Sequence, residues 1–270
     1  MMKNQELKEV FSVDQSFLLN RDGLEIPCIL TLPEGGEPRR IILSVHGFGG
    51  NSQNKIQVSI AEEMAFFGSA TLRFDFPCHG ENPLDSDDFS LANCCRTLMA
   101  AACHLRESFP QVEDLCIFAT GFGAYVTLVC LEDLLELPGR VKLVIQTPSV
   151  RMDKSLLIQS KTSAPTLKAM EATIIDAVRP FAVGYCFYEE LRQNIVMNSY
   201  PIPMLILMGE ADHVIQEEDI RQFRRLNEQS KLVYIPGATH RFLEEGAWDM
   251  VLDLTRDWFE FEQVLVSDWE

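Results

Sequence analysis

Six short, near-continuous apolar runs, at residues 41–45, 70–74, 115–119, 142–145, 204–208 and 232–235, constrain this chain more than any other feature. A strand whose successive side chains are nearly all apolar must be covered on both faces, as parallel strands inside a helix-flanked sheet are. Between the runs lie segments with apolar residues at three- and four-residue spacing, at 54–67, 91–108, 122–135, 217–228 and 247–264, each the length of an amphipathic helix. The alternation predicts an α/β fold with a mostly parallel, doubly wound sheet. Two further strands at 9–19 and 25–32, joined by the turn Asn20-Arg21-Asp22-Gly23, are expected to open it as an antiparallel hairpin, making eight strands in all.

Residues 150–200 break the rhythm. No strand is expected there, only helical patterning and a cluster of Phe181, Tyr185, Phe187 and Tyr188. The expected organisation is one core built from 1–149 and 201–270, with 150–200 inserted as a small helical cap over the carboxyl edge of the sheet, where open α/β folds gather their ligands.

Composition narrows the function classes. The chain has 270 residues, 47% of them apolar, enough for one sizeable core. With 23 Lys and Arg against 40 Asp and Glu, the formal charge is -17, which works against nucleic acid and anionic lipid as partners. None of the eight cysteines stands at C-x-x-C spacing or beside clustered histidines, so neither a metal site nor a disulfide framework is expected, and no cofactor motif is present. The polar start of the chain and the lack of a long apolar run lead to the expectation of a cytoplasmic protein.

Chemistry-bearing residues collect in loops that follow the apolar runs. His46-Gly47-Phe48-Gly49-Gly50 follows the first, and its glycines allow backbone N–H groups to turn toward a bound oxygen. Asp75-Phe76-Pro77-Cys78-His79-Gly80 follows the second and is read as a site wall in preference to a catalytic role for Cys78 or His79. Thr120-Gly121-Phe122-Gly123-Ala124 joins the third run to a helix, and the small residues Ala119 and Gly123 flank one central position, Gly121. That is the pattern of a nucleophile elbow, where a strand turns sharply into a helix. The last two runs are followed by Gly209-Glu210-Ala211-Asp212-His213 and Gly237-Ala238-Thr239-His240. Elbow, acid and histidine thus occur in the chain order nucleophile, Asp, His.

On these motifs, residues from about 22 to 259 resemble the serine carboxylesterase and acyl-aminoacyl-peptidase branch of the α/β-hydrolase family, and are similar to bacterial cinnamoyl and feruloyl esterases with a small inserted cap. The 75–80 loop resembles the Asp-x-x-Gly-His-Gly loop of many members, with Cys78 replacing the first glycine. The resemblance implies that Asp212 orients His240, that His240 is the general base, and that the Phe48 and Phe122 N–H groups form an oxyanion hole, with His46, Gly47, Cys78 and His79 as site wall. It also implies a small acyl or ester ligand. The departure is at the nucleophile, where the family's serine position holds Gly121, and Ser44, Ser52, Ser69 and Ser149 all lack an elbow context.

Without a hydroxyl at Gly121 no acyl-enzyme can form. Two function classes follow: an inactive or nearly inactive hydrolase-fold protein that keeps an acyl-binding pocket, or an active carboxylic-ester or acyl-peptide hydrolase. The second requires either a natural serine that Gly121 has replaced or a water activated by His240.

Overall fold

The computed structural model describes residues 12–262. The expected hairpin is β1 (Ser12–Arg21) paired antiparallel with β2 (Leu24–Pro33). The strands run further than the sequence predicts, leaving only Asp22 and Gly23 as the turn, both at positive φ (51° and 77°). This two-residue geometry matches the right-handed twist of the flanking strands. Residues 9–11 of the expected first strand lie outside the described residues.

The six apolar runs become β3 (Arg40–Val45), β4 (Ser69–Phe74), β5 (Asp114–Thr120), β6 (Arg140–Gln146), β9 (Met204–Gly209) and β10 (Lys231–Ile235). They join the hairpin in one eight-stranded sheet ordered β1-β2-β4-β3-β5-β6-β9-β10. All pairings among the six are parallel. Alternate residues feed two cores: Leu115, Ile117 and Ala119 of β5 face one, and Cys116 and Phe118 face the other. Helices α2 (Leu91–Ser108) and α3 (Phe122–Val129) cover the first face, and α1 (Lys55–Phe66) and α9 (Ala247–Phe261) the second. Helix α8 (Glu217–Leu226) also places Ile220 and Phe223 on the first face.

Two expectations are corrected. The helix expected over 122–135 breaks at Cys130, whose φ and ψ of -91° and 6° end α3 and start α4 (Leu131–Leu135). The segment 150–200 is not strand-free. Beside α5 (Met152–Gln159), α6 (Ala164–Met170) and α7 (Tyr185–Gln193) it holds a hairpin of β7 (Ala172–Ile175) and β8 (Phe181–Gly184). Its strands are four residues each, too short for an alternation signal, and their inward residues Ile175, Phe181 and Val183 read equally well as helix. Residues 263 and 264 of the last expected helix lie outside the described residues.

The chain winds from β3 to β4 on one side and returns to β5 on the other, so the loops after β3 and β5 diverge at this switch point. Both candidate loops of interest begin there.

Candidate active site

Gly121 directly follows β5 and caps α3 at φ 50° and ψ -110°. This is a sharply strained strand-to-helix turn that L side chains adopt at a cost of roughly 1–3 kcal/mol and glycine without steric penalty. Its N–H donates to the Gln146 carbonyl at 2.9 Å and its carbonyl accepts from the Ser149 N–H at 3.3 Å, so the connection after β6 braces the turn. Apart from its own chain neighbours, a Cβ at Gly121 would have among the described residues only the Gly47 Cα within reach, at 4.0 Å. At Gly123 the reverse holds: a Cβ would lie 2.4 Å from the His46 carbonyl and 2.8 Å from that of Val45. The elbow therefore requires glycine at 123 by packing and has room for a side chain at 121.

The loops after β3 and β4 are stitched together by the residues read as site wall. His46 Nε2 accepts from the Phe76 N–H at 3.1 Å, so its proton is on Nδ1, which donates to the Gly47 carbonyl at 2.9 Å. His79 is arranged in the same way, accepting from the Gly49 N–H at 3.0 Å and donating to the Pro77 carbonyl at 2.7 Å. Burial pushes His46 down to about 4, and burial together with neighbouring His46 pushes His79 down to about 3, so both are neutral imidazoles at pH 7. Cys78, at a positive φ of 66° where the resembling loop has glycine, turns its thiol to the Asp85 carbonyl, and burial raises it to about 12. A thiol so protonated is a poor nucleophile. Sequence reasoning missed the anchor of this loop pair, Asp75, whose two oxygens accept from the Ser52 N–H (2.7 Å) and the Glu81 N–H (2.9 Å).

Asp212 and His240 meet. Their loops follow the neighbouring strands β9 and β10, and His240 Nδ1 lies 2.8 Å from Asp212 Oδ2. The other carboxylate oxygen accepts from the Val214 and Ile215 N–H groups at 2.8 and 3.1 Å. Burial opposes ionisation of Asp212 most strongly, but the hydrogen bond and charge of His240 and the two backbone N–H groups outweigh it and hold the carboxyl below its usual range. An ionised Asp212 keeps the imidazole proton on Nδ1 and leaves Nε2 as the acceptor. Glu210, the neighbouring carboxylate, instead accepts from the Gly237 N–H at 3.0 Å.

The Phe48 and Phe122 rings stand 5.4 Å apart, centroid to centroid, so the two candidate oxyanion-donor loops adjoin. The inserted segment packs on them. Phe181 lies 5.4 Å from Phe48, 5.0 Å from Phe89 and 4.7 Å from His79, and Phe187 lies 4.7 Å from Phe89. Arg179, in the β7–β8 turn, donates to the Asn82 and Leu84 carbonyls and fastens the hairpin to the loop after β4. Spacing carries no signal for these contacts. Among the described residues no group of three or more His, Cys, Asp or Glu is placed to hold a metal ion, and no helix is long and apolar enough to cross a membrane.

A sharp turn after β5, an acid after β9 and a histidine after β10 lie in this eight-stranded sheet in the order expected of the α/β-hydrolase fold, and solved structures agree on the fold. Est1E of Butyrivibrio proteoclasticus with ferulic acid bound superposes with a TM-score of 0.73 at 21% identity, over 92% of this chain and 98% of that one. Mouse alpha/beta hydrolase domain-containing protein 10 matches with a TM-score of 0.71 at 14% identity, over 92% and 100%. Dienelactone hydrolase from Anabaena variabilis matches with a TM-score of 0.62 at 19% identity, over 93% and 98%. This chain has the α/β-hydrolase fold. No protein-family model matches it. By sequence it is 25% identical over 232 residues to two Mycobacterium tuberculosis proteins, from strains CDC 1551 and H37Rv, that carry a provisional phosphoribosyl transferase name. The match takes in 85% of this chain but only 42% of those proteins, so the chain spans less than half their length.

Proposed function

We propose that this protein is a hydrolase-fold binder of a small acyl or ester ligand that has lost covalent catalysis at the elbow. The observation that carries the reading is the contrast between Gly121 and its surroundings. The strained turn, the space for a side chain and the Asp212–His240 pair are all present, while the hydroxyl is missing. Catalytic parts that act as a unit lose most of their effect when one is removed, whereas binding to oriented donors persists. In this reading the Phe48 and Phe122 N–H groups hold the acyl oxygen, and His240 Nε2 faces the ester or, when protonated, a carboxylate. His46, Gly47, Cys78 and His79 shape the wall, and 150–200 acts as the cap. Est1E supports the ligand class, since its structure contains ferulic acid. A cytoplasmic location is part of the proposal. The phosphoribosyl transferase name belongs to proteins more than twice as long as the shared region and is not carried over.

The competing reading, an active hydrolase that uses a water activated by His240 or whose natural nucleophile is a serine that Gly121 has replaced, is favoured by the intact Asp212–His240 pair. Incubation with a fluorophosphonate probe separates the two routes. The binding reading expects no covalent labelling and saturable, non-covalent binding of aryl carboxylates or esters, and labelling of this chain overturns it. Turnover of aryl esters that disappears in His240→Ala establishes the water route instead.

A further inference from the structure

We propose that Glu244 is a positioning residue for His240, clamping the loop that carries the imidazole against Asp212. The inference rests on the reading above, in which His240 faces the ligand. Four observations place Glu244 in this role. Its Oε1 lies 2.6 Å from the Thr239 hydroxyl, and Thr239 directly precedes His240. The hydroxyl, chiefly, with backbone N–H groups of the same loop, holds the Glu244 carboxyl below its usual range, so an anion closes the loop. Between the two residues the chain folds back on itself: the Phe242 N–H donates to the Thr239 carbonyl at 3.2 Å, and Phe242 takes a positive φ of 53° with its ring fully buried. A non-glycine residue held in that region needs surrounding contacts that over-determine it. The Glu244 carbonyl then accepts from the Ala247 N–H at 3.2 Å, tying the clamp to the first residue of α9.

On its other side the His240 loop is already fixed to the acid loop. The Ala211 N–H donates to the Ala238 carbonyl at 2.9 Å, and Glu210 accepts from the Gly237 N–H. His240 therefore stands between these attachments to the acid loop and, on its carboxyl-terminal side, a fold-back closed by the Phe242–Thr239 backbone bond and by the Glu244–Thr239 side-chain bond. Without the side-chain bond, the residues from Thr239 to Glu244 are free to relax the backbone at Phe242, and the imidazole swings from the line set by Asp212. A charged acceptor is not essential, because a glutamine carbonyl also accepts from a hydroxyl.

The test has two independent readouts. In the chain as it stands, the His240 Nδ1 proton shared with Asp212 should give a resolved downfield NMR resonance. It should persist in Glu244→Gln and vanish or broaden in Glu244→Ala and in Thr239→Val, with circular dichroism showing all three folded. In a Gly121→Ser background, Glu244→Ala should lower kcat for an aryl ester by about tenfold or more while KM stays within about twofold, since small misplacements of a catalytic group act on rate. Glu244→Gln should recover most of that loss, and Thr239→Val combined with Glu244→Ala should cost no more than either alone. An unchanged resonance and unchanged kcat in a folded Glu244→Ala protein overturn the proposal. If Gly121→Ser hydrolyses nothing, the functional reading fails, and the NMR comparison still decides the role of Glu244.

Discussion

Among the described residues, and its own chain neighbours aside, the Gly47 Cα is the only heavy atom within 4.0 Å of where a side chain at Gly121 would begin. The loop after β3 therefore faces the elbow across a gap of van der Waals width, and the position is vacant rather than overgrown. Gly121→Ser is expected to fold, at a cost of up to about 1–3 kcal/mol for its positive φ, within the ~5–15 kcal/mol of a typical domain. It should gain fluorophosphonate labelling and, with activated esters, hydrolysis that is lost again when His240→Ala is added. A folded variant that neither labels nor turns over any of a broad ester panel means that the proposed acyl site has been remodelled beyond its missing hydroxyl.

Gly123→Ala tests the elbow from the opposite direction. Its Cβ would meet the backbone carbonyls of His46 and Val45, which cannot move without shifting β3. A loss of about 1–3 kcal/mol or more is expected in urea denaturation, against a small effect for Ala at exposed Gly36, where nothing lies within 4 Å. Equal costs at the two sites remove the packing argument for glycine at 123.

Acid should weaken the fold through His46 and His79. Both are held neutral, at about 4 and about 3, so below the ordinary histidine value the unfolded chain takes up protons that the folded chain refuses. Their contribution is complete above pH ~6.5 and is lost progressively as pH falls from there toward 4 and 3, by about 1.4 kcal/mol per pH unit for each. Depressed Asp212 acts in a lower window, losing its contribution as pH drops below the usual carboxylate range. His46→Gln, which keeps an acceptor for the Phe76 N–H, should shrink the stability difference between pH 7 and pH 4.5 by about 2–3 kcal/mol in urea melts. A difference as large as that of the parent chain rules out His46 as a source.

Phe181→Ala should loosen the β7–β8 hairpin. Phe181 is 4% exposed and touches Phe48, His79 and Phe89, so truncation should cost about 3–5 kcal/mol, less if the ring cluster collapses. Calorimetric titration with an aryl carboxylate should show tighter binding if this ring competes for the ligand's space. Weaker binding by a stably folded variant would instead make Phe181 part of the ligand contact.

How far the sequence reached is visible in particular residues. The six apolar runs and their helical intervals specify a parallel sheet, because double-sided burial leaves its mark in every residue of a strand. The elbow is legible at Ala119, Gly121 and Gly123 because a strand turning at once into a helix admits few residue types. Asp212 and His240 are legible only as an order along the chain. That they touch at 2.8 Å was decided by the pairing of β9 with β10, which brings loops 28 residues apart side by side. The β7–β8 hairpin, the ring cluster around Phe181, the Asp75 anchor and the Glu244–Thr239 bond left no periodic trace. Each depends on one or two contacts between distant segments, and the geometry of such contacts exists only once the sheet and its helices have fixed where the loops begin.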